Sequence, residues 1–400
     1  MLLDKSPSDQ PIGGWEPTAA TGTKSVFDAR ITKVPHVRAL DGIRAFAILG
    51  VLAVHAGVPG FESGWLGVDL FFALSGFLIT TLLLDEWSST GTVMLKNFWV
   101  RRFLRLMPAY YLYVIGITIA IWCLPWSVLS TNGRWTPLGY TAALWSYLMN
   151  YPPKGGIWNG QITTVHLWSL AVEEQYYILW PVFLLMLLKN PKLLVAVSWG
   201  LFAAVLTYFT LFANDEQRVV LLYTRGISLF LASAVAISSH RSRAATKWHK
   251  FARGRANAFL TASLLVSVPA FVAPSLHLLT EQQIRLLLPV LVPIYVGAIA
   301  RLWYGSVDGV WQFVLTHPVL VYVGKVSYGI YLYHEVTRIL TWWLTESLLQ
   351  GLPRFLAYGT RLTLYVALSV AIASASFRFY ERRFLALKNR FRGDSAITIA

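Results

Sequence analysis

Charged and titratable side chains inside apolar segments are the groups of this sequence that could do chemistry. Arg44 and His55 lie eleven residues apart in the first apolar segment, which predicts a shared helix face and a rise of about 16 Å between them. Asp69 lies near the start of the second apolar segment, and Glu173 lies within the fourth. Because ionised groups are costly in lipid, each of these side chains is a candidate functional residue.

A histidine beside a carboxylate is typical of sites that remove a proton from a hydroxyl group. The directions of these segments predict that His55, Asp69 and Glu173 lie at similar depth, in the outer half of a bilayer. We therefore expect His55 to act as a general base that Glu173 or Asp69 orients. A buried polar network that only holds helices together is the alternative interpretation for all three.

A group of arginines precedes the third apolar segment, in the stretch NFWVRRFLRLMPAYY. Arg102 and Arg105 are spaced to share a helix face, and Arg101 lies beside them. Guanidinium groups offer paired N–H donors to phosphate oxygens, so these residues and Arg44 predict a site for a phosphate-bearing donor at the cytoplasmic mouth. Arginines beside a membrane also fix topology or contact lipid headgroups, and that alternative stays open.

Hydroxyl and imidazole groups on other segments could line the same cavity. In HLWSLAVEEQYYILWP, Ser169 and Tyr177 share a helical stripe, and in KVSYGIYLYHE, Ser327, Tyr331 and His334 share a face. Packing between helices explains Ser327 and Tyr331 equally well. The predicted cavity, oxyanion or acceptor residues are Ser75, Ser169, Tyr177, Ser327, Tyr328, Tyr331 and His334.

The composition places these residues in a membrane protein. Of 400 residues, 56% are hydrophobic and 13% charged, and the mean hydropathy of +0.54 indicates too little polar surface for a soluble fold. We predict an all-α polytopic membrane protein with about ten transmembrane helices. The apolar segments lie near 40–57, 65–85, 104–126, 166–189, 193–213, 219–238, 257–276, 284–303, 321–344 and 356–379.

The net charge of +15 is explained by topology. Basic residues gather in alternate connections, as the positive-inside rule requires, so the N- and C-termini are predicted to be cytoplasmic and nucleic acid is not expected as a partner. We predict a disordered cytoplasmic tail at 1–37, a membrane domain at 38–383 and a basic cytoplasmic tail at 384–400. The single cysteine, Cys123, excludes an intramolecular disulfide and a multi-cysteine metal site, and no metal is predicted.

The longest outward connection, 127–165, is rich in tryptophan and tyrosine. Such residues concentrate at membrane interfaces, where their rings lie at the level of the headgroups. They could instead form a surface on which sugar rings stack. The sequence leaves both interpretations of this connection open.

Several of these segments together resemble the acyltransferase family 3 membrane proteins. Arg44 and His55 match the family's pattern of an arginine, ten residues and a histidine, and GWLGVDLFFALSGFLI, with Asp69, is similar to its second span. Arg102 and Arg105 match an Arg-x-x-Arg element. HLWSLAVEEQYY and SYGIYLYH match two further segments, so the resemblance covers nearly the whole predicted membrane domain.

This resemblance implies an acyl-CoA donor, usually acetyl-CoA, as co-substrate without a tightly bound cofactor, and it implies His55 as the catalytic residue. The acceptor is expected to be a hydroxyl of exopolysaccharide, O-antigen, a lipid-linked sugar or, as in some members, an antibiotic or Nod factor. Many relatives carry an added extracytoplasmic hydrolase-like domain, so this membrane domain is expected to meet its acceptor directly or through a partner. The expected location is the bacterial cytoplasmic membrane, in contact with its lipids.

Two other classes of function are compatible with the same residues. A transporter or flippase for a sugar or an anion also places charges inside helices and basic groups at a mouth. A non-catalytic component of polysaccharide assembly would use them only for structure. Direct transfer and a covalent acyl-histidine both remain open, as does assembly into a homo-oligomer.

Overall fold

The computed structural model describes residues 37–124, 136–151, 164–213, 221–241 and 255–391. Every regular element within these ranges is helical, apart from one isolated backbone bridge between Arg255 and Ser306. Residues 1–36 of the predicted tail at 1–37 lie outside the described residues, as do the last nine residues, 392–400. The all-helical fold class is therefore confirmed.

The described residues of the first half of the chain form eight helices. Residues after the sixth helix continue it as a π-helical turn, Tyr208–Phe212. The helices are α1 Arg38–His55, α2 Leu66–Thr90, α3 Leu95–Cys123, α4 Pro137–Trp145, α5 Leu167–Leu187, α6 Pro191–Thr207, α7 Leu222–Arg225 and α8 Ile227–Arg241.

The second half alternates long helices with short ones. A π-helical turn at Ser376–Glu381 follows the last long helix, and a 3₁₀ turn at Lys388–Phe391 ends the described chain. The helices are α9 Asn257–Val272, α10 Glu281–Leu286, α11 Leu288–Tyr304, α12 Gly309–Leu315, α13 Pro318–Lys325, α14 Ser327–Glu346, α15 Arg354–Ala375 and α16 Arg382–Leu387.

Local sequence signals explain several helix boundaries. Asn190 caps α6 by accepting a hydrogen bond from the backbone N–H of Leu193, and Pro191 occupies the first helical position. Thr280 and Gln283 form a capping box at the start of α10. At the end of α2, Gly91 adopts a left-handed conformation with φ 70°, which glycine accepts without steric cost.

Five helices are long and apolar enough to cross a bilayer: α2, α3, α5, α6 with its π turn, and α15 with its continuation. Helices α8, α9 and α11 are apolar but shorter, whereas α1 and α14 carry several charged side chains. Each of the ten predicted segments overlaps one of these ten helices. A multi-pass membrane architecture is therefore supported, while ten crossings and cytoplasmic termini stay predictions.

Helix α3 begins at Leu95, nine residues before the predicted span at 104–126. The arginines around the start of the third apolar segment, Arg101, Arg102 and Arg105, therefore lie on the first turns of a continuous helix. Pro108 lies inside the same helix without ending it. The helix extends because these side chains face a polar cavity and polar partners rather than lipid.

Part of the aromatic outward connection packs back onto α3. The ring of Tyr147 stacks on Tyr110 with centroids 3.9 Å apart, and Trp145 stacks on Tyr111 at 5.4 Å. Tyr147 is buried, which indicates a packing role, whereas Trp145 is exposed and leaves the belt and sugar-stacking interpretations open. Trp135 and Trp158 of this connection lie outside the described residues.

Close packing of α2 against α8 depends on Gly76. A methyl group added there would overlap the backbone oxygen of Leu229, so the two helices approach each other backbone to backbone. A polar pair reinforces the same helix pair near its C-terminal end, where Nε2 of His240 lies 2.9 Å from Oδ1 of Asp85. This contact fixes α2, which contributes one wall of the cavity described below.

We predict that Gly76→Ala lowers the thermal unfolding temperature in detergent, because overpacking between two backbones costs about 1–3 kcal/mol. The matched control is Gly116→Ala in α3, where an added methyl group meets no atom within 4 Å. That substitution is expected to be neutral or slightly stabilising, since alanine favours a helix. Equal unfolding temperatures for the two variants would contradict the close approach at Gly76.

Candidate active site

A cavity of about 570 Å³ lies between α1, α2, α3, α5, α14 and the C-terminal short helices. Basic side chains and hydroxyl groups share its wall with apolar residues. Most of the residues predicted from the sequence line it: Arg44, Arg102, Arg105, Ser75, Ser169, Glu173, Tyr177, Ser327, Tyr328 and Tyr331. The structure thus brings residues from five separate segments to one place.

Arg101 does not line this cavity, although it was grouped with the other arginines. Its guanidinium donates to the backbone oxygen of Phe391 at 2.9 Å and to Oε2 of Glu86 at 3.2 Å. Residues 101 and 102 point about 100° apart around a helix, which separates Arg101 from its neighbour. Arg101 therefore holds the C-terminal turn against α3 and is not placed to bind a donor.

The basic end of the cavity is ordered by contacts between side chains. Nη1 of Arg44 lies 2.6 Å from Oδ1 of Asp41, one turn earlier on α1. The guanidinium of Arg102 lies over the ring of Tyr177, 5.3 Å from its centroid, and 5.8 Å from the centroid of Phe98. These contacts fix two guanidinium groups on the wall, where they can bind an anion.

Glu173 belongs to the middle of the cavity. Ser75 donates a hydrogen bond to Oε1 of Glu173 at 2.6 Å, and the hydroxyl of Tyr177 donates to Ser75 at 2.9 Å. This chain of three groups joins α2 to α5 beside Arg102. The carboxylate of Glu173 therefore faces the basic residues of the cavity rather than the histidine with which it was predicted to interact.

Two hydroxyl groups mark the other end of the cavity. The hydroxyl oxygens of Ser169 and Tyr331 lie 2.5 Å apart and share a hydrogen bond, so one of them donates to the other. The backbone oxygen of His166 lies 3.1 and 3.0 Å from the two hydroxyl oxygens and accepts from the hydroxyl whose hydrogen is not used in that bond. Both side chains are buried, so they face the cavity from within the protein. They join α5 to α14 and offer O–H donors at a distance from the arginines.

His55 lies beyond this end, at the last residue of α1, and its partner is Glu335. Nδ1 of His55 lies 2.6 Å from Oε1 of Glu335, while Arg338 donates twice to Oε2 of the same carboxylate, at 2.8 and 3.1 Å. The side chain of His55 is 38% exposed and that of Glu335 is 7% exposed. The carboxylate at His55 is thus Glu335, and the expected orientation by Glu173 or Asp69 is not what the structure shows.

Sequence reasoning missed Glu335 although a signal was present. Glu335 directly follows His334 in SYGIYLYHE, inside the ninth predicted segment, and Arg338 lies three residues later. A carboxylate and an arginine one turn apart commonly form an ion pair within a helix. The sequence therefore gives no sign that Glu335 also has a partner on another helix. Only the packing of α14 against the end of α1 reveals the contact with His55.

Asp69 is committed to a different ion pair. Its Oδ2 lies 2.6 Å from Nη2 of Arg225, and Ser228 donates to Oδ1 at 3.1 Å. Both charged side chains are buried, and the guanidinium lies over the rings of Trp65 and Trp168, at 5.0 and 5.8 Å. Predicted depth in the bilayer suggested His55 as the partner of Asp69. The sequence does not show that the short helix α7 brings Arg225 to the depth of Asp69.

His334 is fully buried and stands beside His55 rather than in the cavity wall. Its ring centroid lies 4.8 Å from that of His55 and 4.7 Å from that of His166, so the three imidazoles form a row. Nδ1 of His334 lies 2.6 Å from the backbone oxygen of Tyr331 and must donate to it. Its Nε2 then lies 3.6 Å from Glu335 as an acceptor.

A layer of buried side chains, two rings deep, separates the cavity from His55. His55 is not among the residues that line the cavity, whereas Tyr331 lines it and packs on His334, with ring centroids 5.5 Å apart. The layer is formed by these two rings together with Ser169. Groups in the cavity can therefore reach the imidazole only if this layer moves or opens.

The same residues could also bind a metal ion. Ligand atoms of His55, His334 and Glu335 all lie within 4.8 Å of one another. However, Arg338 already donates two hydrogen bonds to Glu335, and its positive charge opposes a second cation there. The short contact between His55 and Glu335 instead fits an imidazole that donates to a carboxylate.

The family model described as an acyltransferase domain, Acyl_transf_3, matches residues 37–378. The chain is similar to the peptidoglycan O-acetyltransferase OatA of Listeria monocytogenes, with 31% identity over 354 residues, 86% of this chain and 55% of that protein. A putative O-acetyltransferase of Staphylococcus aureus is 26% identical over 373 residues, 88% of this chain and 58% of its own length. The chain thus spans little more than half of these curated relatives, and no solved structure matches it.

The buried pair of Asp69 and Arg225 generates a prediction about stability. Asp69→Asn leaves a buried guanidinium without its counter-charge, so we expect the free energy of unfolding to fall by about 3–5 kcal/mol, measured by thermal or chemical unfolding in detergent. The control is Glu281→Gln, which removes an exposed pair with Arg285 and should change stability by less than about 1 kcal/mol. A stable but inactive Asp69→Asn protein would instead indicate that Asp69 takes part in chemistry.

Proposed function

As this chain belongs to the acyltransferase 3 family, we propose that it is a membrane O-acetyltransferase that transfers an acetyl group from acetyl-CoA to a carbohydrate hydroxyl. The resemblance predicted from the sequence motifs is confirmed at the level of the family. The observation that carries the proposal is a cavity lined by three arginines that is connected, through the rings of Tyr331 and His334, to an exposed imidazole paired with a buried carboxylate. The chain is proposed to act in the bacterial cytoplasmic membrane, with its donor in the cytoplasm.

Arg44, Arg102 and Arg105 are the proposed ligands of the donor's phosphate groups. They lie on the same cavity wall, and guanidinium groups bind phosphate oxygens with two N–H donors each. The cavity of about 570 Å³ is large enough for part of a cofactor-sized molecule. The thioester end of the donor would then point towards Ser169 and Tyr331.

His55 is the proposed general base. Its Nδ1–H donates to Glu335, which leaves Nε2 free to accept the proton of the acceptor hydroxyl. The hydroxyl oxygen forms the new ester bond to the acetyl carbon as the carbon–sulfur bond of the thioester breaks. His55 then returns its proton to the thiolate, so that CoA leaves as a thiol and no net proton is produced.

Glu335 and Arg338 are proposed to position this base. Glu335 stabilises the imidazolium that forms on His55, in the way that a buried carboxylate does in hydrolase triads. Arg338 holds the other carboxylate oxygen and so fixes its direction. Hydroxyl groups of Ser169 and Tyr331 lie at the cavity end and are the proposed donors to the oxygen of the reacting carbonyl.

The proposed acceptor is a glycan of the cell envelope. Its support is the exposed position of His55 at the end of α1 and the similarity to a relative from Listeria monocytogenes that is named as a peptidoglycan O-acetyltransferase. Among the acceptors expected from the sequence, an envelope polysaccharide or a lipid-linked sugar fits best, because each can approach His55 from outside the cavity. A transporter with the same residues is the alternative that the next experiment excludes or supports.

Donor binding is tested by thermal unfolding of the purified protein with acetyl-CoA. A ligand that binds only the folded state at about 100 times its Kd stabilises it by about 2.7 kcal/mol. We expect this stabilisation in the wild type and in His55→Ala, and we expect its loss in Arg102→Ala. Acetyl transfer to a muropeptide, followed by release of CoA thiol, should occur only in the wild type.

The absence of stabilisation by acetyl-CoA in the wild type would argue against an acyl-CoA donor. Movement of a sugar across vesicles without release of CoA would then support the transporter. If the donor binds but His55→Ala keeps full activity, the proposed base is wrong while the donor site stands.

The role of Glu335 makes a separate kinetic prediction. Glu335→Gln keeps the shape of the side chain but removes its charge, so kcat should fall by about 10²–10⁴-fold. The Kd for acetyl-CoA should not change, because Glu335 does not line the cavity. The control is Glu346→Gln, an exposed carboxylate on the last turn of the same helix, which should keep wild-type kcat.

A further inference from the structure

A second group of basic side chains lines the outer part of the same cavity. Lys325 comes from the last turn of α13, Arg382 from the first turn of α16, and Lys388 from the 3₁₀ turn that follows. Lys325 and Arg382 are exposed, whereas the cavity arginines on α1 and α3 are half-buried. The exposed residues therefore mark the mouth of the cavity.

The C-terminal segment that carries two of these residues is fixed in place. Arg101 donates to the backbone oxygen of Phe391, at the end of the 3₁₀ turn. At the other end, Ser376 donates to Glu381 at 2.8 Å, and its hydroxyl lies 3.0 Å from that of Tyr333 on α14. Helix α16 and the turn also pack on α3. Arg382 and Lys388 therefore belong to a part of the cavity wall that contacts with α3 and α14 hold in place.

The cavity carries more basic side chains than the binding of a single phosphate group requires. Six basic side chains line it among the described residues, against the carboxylates of Asp41, Glu173 and Glu381. Asp41 is already paired with Arg44, and Glu381 accepts from Ser376. Coenzyme A carries a diphosphate and a separate 3′-phosphate, and a phosphate monoester alone contributes about −1.5 to −2 at neutral pH.

We propose that Lys325, Arg382 and Lys388 form a subsite for the 3′-phosphate of the donor and select phosphorylated CoA thioesters over dephospho-CoA thioesters. This inference rests on the proposed function. The 3′-phosphate lies at the nucleotide end of coenzyme A, far from the thioester, so it belongs at the mouth. The diphosphate lies nearer to the thioester and takes the half-buried arginines deeper in the cavity.

The test compares acetyl-CoA with 3′-dephospho-acetyl-CoA on the purified protein in nanodiscs. Wild type should bind acetyl-CoA about tenfold more tightly, because a charge-assisted contact is worth more than a neutral one. In the combined variant Lys325→Ala, Arg382→Ala and Lys388→Ala, the Kd for acetyl-CoA should rise to the value for the dephospho compound. The Kd for the dephospho compound itself should stay unchanged.

The matched control is Arg383→Ala with Arg390→Ala. Both residues are exposed and basic, belong to the same C-terminal segment and do not line the cavity. This variant should keep the wild-type preference for acetyl-CoA. A similar loss of preference in the control would show a general effect of net charge and would overturn the subsite.

The remaining outcomes separate this inference from the proposed function. Equal affinity of the wild type for the two donors overturns the 3′-phosphate subsite and leaves the acetyltransferase proposal intact. Failure to bind either donor overturns both. If the three substitutions change only binding to nanodiscs with anionic lipid, and not the donor preference, the residues contact lipid headgroups and the subsite is wrong.

Discussion

The cost of placing charge inside a membrane protein constrains this structure more than any other factor. Every charged group buried among the helices needs a partner of opposite charge or several hydrogen bonds. Asp69 meets Arg225, Asp85 meets His240, and Glu335 meets both His55 and Arg338. Apart from Arg338, which lies on the same helix as Glu335, these partners come from different helices, so their pairs also fix the relative position of two segments that are distant in sequence.

The pairs differ in what they leave available for chemistry. Asp69 and Arg225 are both almost fully buried, and their charges neutralise each other between α2 and α7. Glu335 is also buried, but it holds an imidazole that remains 38% exposed. The buried carboxylate fixes the proton-bearing nitrogen of His55, which leaves the other nitrogen for its proposed role as a base. Accessibility of one member, rather than burial of the pair, distinguishes the candidate base from the structural ion pair.

The fold and much of the cavity could be predicted from sequence because they depend on local patterns. Apolar length located the long helices, and helical spacing placed Ser169, Glu173 and Tyr177 on one face that lines the cavity. The carboxylate partner of His55 could not be found in this way. The sequence predicts how deep each carboxylate lies along the membrane normal, but not its position in the membrane plane. Asp69, Glu173 and Glu335 differ in that lateral position, which only the packing of the helices defines. Helix geometry predicts that the side chains of Arg101 and Arg102 point about 100° apart, whereas their adjacency in sequence suggests a single basic group.

The two helices that are too polar for a simple membrane span, α1 and α14, carry the candidate chemistry. Alone, each would expose charge to lipid, but packed together they satisfy one another through His55 and Glu335. Tyr331 and His334, on α14, also form much of the layer between the donor cavity and the exposed imidazole. In the proposed reaction, this layer keeps a thioester in the cavity from the water around His55. Acetyl transfer by that route requires a local movement of α14 side chains, because α14 carries both the layer and the carboxylate that holds His55.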